Sequence, residues 1–399
     1  MSRIMAVLIG SLFVTIVLSG CWNRRELNDL AIVLGIGIDK HKDQYRVSVQ
    51  IVNPQEIAAK KTGGVNSPVT IYEETGKTIF ECLRRMTTKS PRKIYTSHLR
   101  TLIISEEVAR EGVKDILDFF ARDHEMRTDF YVVIAREAKA RDVMSILQPL
   151  EKVPANFLFK SLQTSEKAWA PTAGKYLDDL MADLMSKGRA AALTGVRIYG
   201  DEQSGDSVDN LKTAHSEAYI KYSTIGVFRK DKLVGWLDEE ESKGYNFITN
   251  KVESTVGVLE CPKGGDMSVE VIRSNTKVKG TIQDGQPVIE VSIRIEQNIG
   301  EVACEVDLND IGTIYEFEQI SKKRVQSFLD KVVDKAQKKY KSDIFGFGEV
   351  MQRDEPKAWE RLADDWATIF PHIQVNFKLD IKIRRTGTQS NSFRDKVGR

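Results

Sequence analysis

The chain has 399 residues, 41% hydrophobic and 29% charged, which is enough for two or three domains with cores of their own. Lys and Arg number 59 against 57 Asp and Glu, so no global field favours nucleic acid as a partner. Both signs are interspersed, as on a wetted protein surface.

The amino-terminal stretch MSRIMAVLIGSLFVTIVLSG places Arg3 before an apolar run over 4–18 and ends in the small pair Ser19-Gly20. That run is shorter than the about 20 residues of a membrane helix, and the order is that of a secretory signal. The ending LSGC resembles the lipobox of bacterial lipoproteins. The resemblance implies cleavage after Gly20 and lipidation of Cys21 as an N-palmitoyl, S-diacylglycerol cysteine. Two or more acyl chains hold a protein on a bilayer where one does so only marginally. The three remaining cysteines cannot all pair within the chain. Cys82 falls on an apolar helix stripe with Ile79, Leu83 and Met86. Cys261 and Cys304 could bridge, but a body of this size needs no such staple, and the sequence leaves the pair open.

After a charged segment, WNRRELNDL, the continuous apolar run AIVLGIGID reads as a buried strand. YRVSVQIV alternates and pairs with it as a hairpin, followed by a polar loop rich in Gly and Pro. Thr75 or Thr78 caps a helix ending at Met86. LRTLIIS and DFYVVIAR read as strands, with helical spacing between them in EEVAREGVKDILDFFARD and after them in AKARDVMSIL. Helices over 155–188 close this part, and AALTGVRIYG is a further strand. DEQSGDSVDNLKTAHSE reads as a polar, mobile loop, and STIGVFRKDKLVGWLD as a hairpin.

The last third carries strands in MSVEVIRSNTKVKGTI, PVIEVSIRIE and ACEVDL, with an Asp284-Gly285 turn between the first two. A long helix has apolar positions from Ile320 to Tyr340 at spacings of three and four. Pro356 opens a second helix with a stripe from Trp359 to Phe370. VNFKLDIKIR alternates strictly, with Val375, Phe377, Leu379, Ile381 and Ile383 inward. The expected organisation is a signal over 1–20, an N-terminal α/β domain over 21–190, a small middle domain over 191–256, a C-terminal domain of sheet plus helices over 257–385, and a disordered basic tail over 386–399. The fold class is α+β: a multidomain lipoprotein with mixed or antiparallel sheets and helices packed on them.

Catalytic patterns are missing from the sequence: no GxSxG, HExxH or GxxxxGK[ST] occurs. GIGID lacks a third glycine and reads as a strand packed closely on another backbone. The RDHE cluster over 122–125 is a solvated helix end rather than a metal site, and Glu239, Glu240 and Glu241 form a helix start rather than general acids. No catalytic, metal or cofactor site is expected. The long helix is basic on its polar side, from Lys322 to Lys341, which is read as a solvated face in preference to a lipid contact. In YKSDIFGFG the aromatics either dock on a partner or fold back onto the core, the second being favoured.

CWNRRELNDLAIVLGIGIDK with VQIVNP, and YKSDIFGFGEVMQRDEPKAWERLADDWATIFPHIQVNFKLDIKIRRTG, together resemble the two ends of the Ger(x)C spore germination lipoproteins, the C subunits of nutrient germinant receptors. The resemblance implies a three-domain lipoprotein on the exported side of the spore inner membrane. It would act without catalysis or cofactors, beside an integral-membrane A subunit and a permease-like B subunit. The rival is a solute-binding lipoprotein of a transporter, which needs two doubly wound lobes around a cleft. The antiparallel patterning of the last third argues against it.

Overall fold

The computed structural model describes residues 3–5, 27–58 and 66–385. The lipobox with Cys21, most of the signal, and the tail over 386–399 lie outside the described residues.

The described strands form two sheets. The first begins with the expected hairpin of β1 (Leu30–His41) and β2 (Gln44–Val52). Its two-residue turn places Lys42 at φ 54°, between His41 and Gln44. β3 (Val69–Gly76) adds antiparallel to β2. The short β4 (Lys93–Tyr95) and the longer β5 (Thr101–Ser105) both lie parallel to β1. β6 (Tyr131–Ala135) and β7 (Ala192–Gly200) continue the parallel set. β8 (Ala218–Arg229) and β9 (Lys232–Trp236) then finish the sheet antiparallel, in the order β3-β2-β1-β5-β6-β7-β8-β9. The segment over 191–256, expected to be a domain, thus has no sheet of its own among the described residues.

β5 and β6 read TLIIS and YVVIA without alternation because helices cover both faces. The helices are α1 (Ile79–Met86), α2 (Glu106–Glu111), α3 (Lys114–Arg122), α4 (Ala140–Ser145), α5 (Pro154–Ala168) and α6 (Leu177–Met185). Leu102 and Ile104 pack towards α1, α2, α3 and α6, whereas Ile103 packs towards α4 and α5. Thr78 caps α1 through Glu81 N–H. Gly35 and Gly37 explain GIGID. An ideal Cβ on Gly37 would sit 2.7 Å from Met144 Cε and 3.2 Å from the Ala140 backbone. The strand therefore admits α4 at close range, and Asp39 then accepts N–H bonds from Ala140 (2.8 Å) and Arg141 (3.0 Å) at that helix's start.

Three expectations change. The single helix expected over 106–123 breaks at Gly112 (φ 139°), where Val113 N–H donates to Asp231 O in the β8–β9 turn. The loop expected to be mobile is pinned by Asn210. This residue is 3% exposed, donates to Leu147 O and Ala218 O, and accepts from Glu217 N–H. ACEVDL is not a strand, and Cys304 within it is bonded to Cys261 across 43 residues.

α7 (Glu239–Ile248) leads from the first sheet to the second, which is β10 (Thr255–Glu260), β11 (Asp266–Gln283), β12 (Gln286–Val302) and β13 (Gln374–Arg385). Asp284 (φ 48°) and Gly285 (φ 78°) make the expected tight turn between β11 and β12. β13 lies parallel to β12, so the sheet is mixed. The connection between them carries α8 (Ile311–Asp334), α9 (Phe347–Asp354) and α10 (Pro356–Leu362). α8 buries Phe317, Val325, Leu329, Val332 and Val333 and passes through a π-helical turn, Lys335–Tyr340. Trp366 and Phe370 continue the expected stripe but sit in separate short turns beyond α10. Ile225 and Val227 of β8 share one apolar cluster with Ile289, Val291, Leu329 and Phe347. The core thus runs without a break from the first sheet into the second.

Candidate functional site: the junction between the sheets

The turn after α8 is the densest point of this junction. Lys341 takes the left-handed conformation at φ 49°, ends the helix, and sends SDIFGFG inward. Ile344, Phe345 and Phe347 are 1%, 5% and 0% exposed, so the aromatics fold back onto the core. Asp343 is buried beneath them. Its carboxylate accepts N–H bonds from Gly346 (3.0 Å), Phe347 (3.1 Å), Gly348 (2.9 Å) and the Trp366 indole (2.9 Å). Burial pushes its pKa up to about 6, against the pull of these four donors.

The N-terminal body meets this knot through residues 183–190. Ala190 N–H donates to Asp343 O at 2.7 Å, and Ser342 Oγ donates to Phe228 O. Gly188 and Gly348 cross so closely that a Cβ on Gly348 would lie 2.4 Å from Gly188 Cα. Arg189 spans the join, 2.7 Å from Glu349 and 3.8 Å from Asp183. Asp183 also pairs with Lys175 at 2.6 Å, with both side chains under 10% exposed. Burial is the largest influence on the Asp183 carboxyl and moves its pKa upward.

Beside the knot opens a cleft of about 620 Å³. Leu117, Met181, Leu184, Met185, Trp366 and Phe370 supply its apolar lining, and Met185 is 73% exposed. Lys114, Arg229, Lys230 and Lys341 stand around it, all exposed, with no ion-pair partner among the described residues. Asp231 also borders the cleft, so four exposed cations stand against one rim carboxylate without an ion pair among the described residues, and an apolar floor with this net positive rim suits an acidic amphipathic surface.

Most of the other basic residues of α8 and its continuation are occupied. Arg324 and Lys331 pair with Glu240 at 2.6 and 2.7 Å, Lys335 with Glu241, and Lys338 with Asp334. Glu241 also closes a capping box with Asp238, so the acidic triplet is the expected helix start. In RDHE, Arg122 pairs with Asp118, and Glu125 with Lys93. Among the described residues no group of three His, Cys, Asp or Glu is placed to hold a metal, and no helix is long and apolar enough to cross a membrane. Sequence reasoning missed the cleft. Its residues come from five separated segments, and beforehand only the basic character of Lys341 and the apolar stripe carrying Trp366 and Phe370 were visible.

The chain matches the family model "Spore germination protein N-terminal domain" over residues 23–198. It matches "Spore germination B3/ GerAC like, C-terminal" over 223–387. It is 33% identical to spore germination protein KC of Bacillus subtilis (strain 168) over 384 residues, 94% of each chain. It is 25% identical to spore germination protein B3 of the same organism, over 94% of this chain and 96% of that one. The crystal structure of the GerBC protein shares the fold, with a TM-score of 0.54 at 22% identity, covering 88% of this chain and 96% of that one. Two domain models in series and a relative aligned along nearly the whole chain place this protein in the Ger(x)C family of spore germination proteins.

Proposed function

We propose that this chain is the lipid-anchored, non-enzymatic C subunit of a nutrient germinant receptor. In this reading it works on the exported side of the spore inner membrane, assembled with integral-membrane A and B subunits. The observation that carries the reading is the alignment to spore germination protein KC along 94% of both chains. The LSGC signature supplies the anchor, with Cys21 bearing the acyl chains. Eight residues lie between Cys21 and Leu30, nine steps with a reach of at most about 32 Å, so the body stays beside the bilayer. Held there, it meets its partners at high effective concentration, and weak contacts suffice. The junction cleft supports assembly because its unpaired cations and apolar floor match an acidic, amphipathic partner surface. The solute-binding alternative is disfavoured: the second sheet is built on long antiparallel strands, not on a second doubly wound lobe.

The test is Cys21→Ala in sporulating cells. The variant moves from the membrane to the soluble fraction, and its co-purification with membrane subunits and nutrient-triggered germination both fall. Unchanged membrane fractionation would defeat the anchor.

A further inference from the structure

A second cleft, of about 710 Å³, lies at the C-terminal end of the parallel strand β6, against the second half of β7 and the neighbouring β8. In sheets of this kind that edge is where ligands collect. The volume falls within the about 300–1,000 Å³ of small-molecule pockets. Arg136 directly follows β6, and Arg197 lies in the second half of β7. The Arg136 guanidinium stacks 4.7 Å from the centre of the Trp236 ring, and its Nη1 donates to Ser223 Oγ (3.1 Å) and Thr224 Oγ1 (3.0 Å). Trp236 is fixed in turn by donating to Glu106 at 3.0 Å. The Arg136 side chain is 21% exposed and that of Arg197 28%, so both are held in place and still reach the cleft.

The charges here do not balance. Glu106 is engaged by Arg110, Trp236 and the Glu137 amide. Asp238 caps α7, and Glu239 pairs with Lys243. One carboxylate, Glu137, is left for the two guanidiniums. It contacts Arg197 Nη2 but stops 3.6 Å from Arg136 Nε, too far for a hydrogen bond. Neither Nε has a hydrogen-bond partner. Glu137 is 62% exposed and sits at φ 59°, an uncommon backbone for a residue other than glycine. A tethered carboxylate thus occupies the pair without satisfying both members, and its exposure leaves it free to swing away. Burial and the nearby Arg197 charge both lower the pKa of Arg136, the cost of two cations sharing one anion.

We propose that this cleft binds the carboxylate of a small organic anion between Arg136 and Arg197, in the place Glu137 now holds. A free carboxylate can take donors from both guanidiniums, which the tethered one does not. Phe157, Trp169 and Ile220 line the same cleft and receive the anion's apolar body. The chemistry is a carboxylate on an apolar group. It comes either from a free metabolite or from the C-terminus of a peptide, and the test separates them.

The experiment is calorimetry on the full chain in detergent, with 3-phenylpropionate against 3-phenylpropionamide, and N-acetyl-Gly-Gly-Phe against its C-terminal amide. The acid of at least one pair binds, and its amide binds about tenfold more weakly or not at all, the worth of a charge-assisted pair. Arg197→Gln weakens the acid by about tenfold, and Glu137→Gln strengthens it by about threefold by removing the internal competitor. Which acid binds tells the source. Thermal melts of both variants check that they are folded. Equal binding of acid and amide, unchanged affinity in Arg197→Gln, or no binding of either acid to wild type and Glu137→Gln overturns the proposal. The anchor and this cleft fail separately, because Cys21→Ala leaves the calorimetry untouched.

Discussion

At Asp343 a buried carboxylate is held by four N–H donors. Its raised pKa has a definite consequence for stability. A carboxyl that titrates at about 6 when folded and at its usual 3.8 when unfolded favours the folded state in acid. That contribution is full below the unfolded pKa and is lost as pH rises through about 6. The two-unit difference is worth on the order of 3 kcal/mol. Wild type therefore loses part of its urea midpoint between pH 4 and pH 6.5, and Asp343→Asn, which cannot titrate, loses less. At pH 7 Asp343→Asn replaces one acceptor oxygen by an NH₂ that faces donors, and is destabilised by about 1–3 kcal/mol. Equal pH slopes in the two proteins would show that Asp343 is not the group responsible.

Among elements, close approach decides more than propensity. α4 crosses β1 at Gly35 and Gly37, and the start of α9 crosses the strap before β7 at Gly348 and Gly188. At Gly348 the obstacle to a side chain is backbone, Gly188 Cα at 2.4 Å from an ideal Cβ, so it cannot give way by changing rotamer. Gly348→Ala is expected to cost about 2 kcal/mol or more by denaturant unfolding. Gly257 in β10 is the control: its nearest neighbour is 3.5 Å away, an ordinary contact, and Gly257→Ala should stay within about 0.5 kcal/mol. A similar loss in both would mean that the crossing is looser than its geometry implies. The capping box of α7 ties local chemistry to this packing. The acids that start α7 also pair with Arg324, Lys331 and Lys335 on α8 and its continuation.

On the scale of the whole molecule, the two sheets share an apolar core and are joined at residues 183–190 by the Ala190–Asp343 backbone hydrogen bond and the Arg189 bridge. A rigid join of this kind presents surfaces from both halves to one partner. Reversing Lys114 and Lys230 to Glu together removes two exposed charges that hold nothing inside the fold. Thermal stability should change by less than about 1 kcal/mol, because such surface positions contribute little. Co-purification with membrane subunits should fall, and fall more at low salt, because attraction becomes repulsion where screening is weak. Retention at wild-type levels would remove this cleft from the assembly surface.

The sequence by itself determined what depends on neighbours along the chain. Period-two alternation in VNFKLDIKIR put Leu379 and Ile381 inside, Asp284-Gly285 specified its own turn, and Thr78 specified a cap. Tertiary structure alone decided what depends on residues far apart. Glycine spacing in GIGID announces a close approach but not that α4 makes it. Asp231 breaks a helix more than a hundred residues earlier in the chain, and Asn210 orders a loop whose composition reads as mobile. Cys304 finds Cys261 because β11 and β12 bring their ends together. Both clefts are of this second kind: Arg136 and Arg197 meet only because parallel pairing lays β6 beside β7, and no pattern within either strand encodes its neighbour.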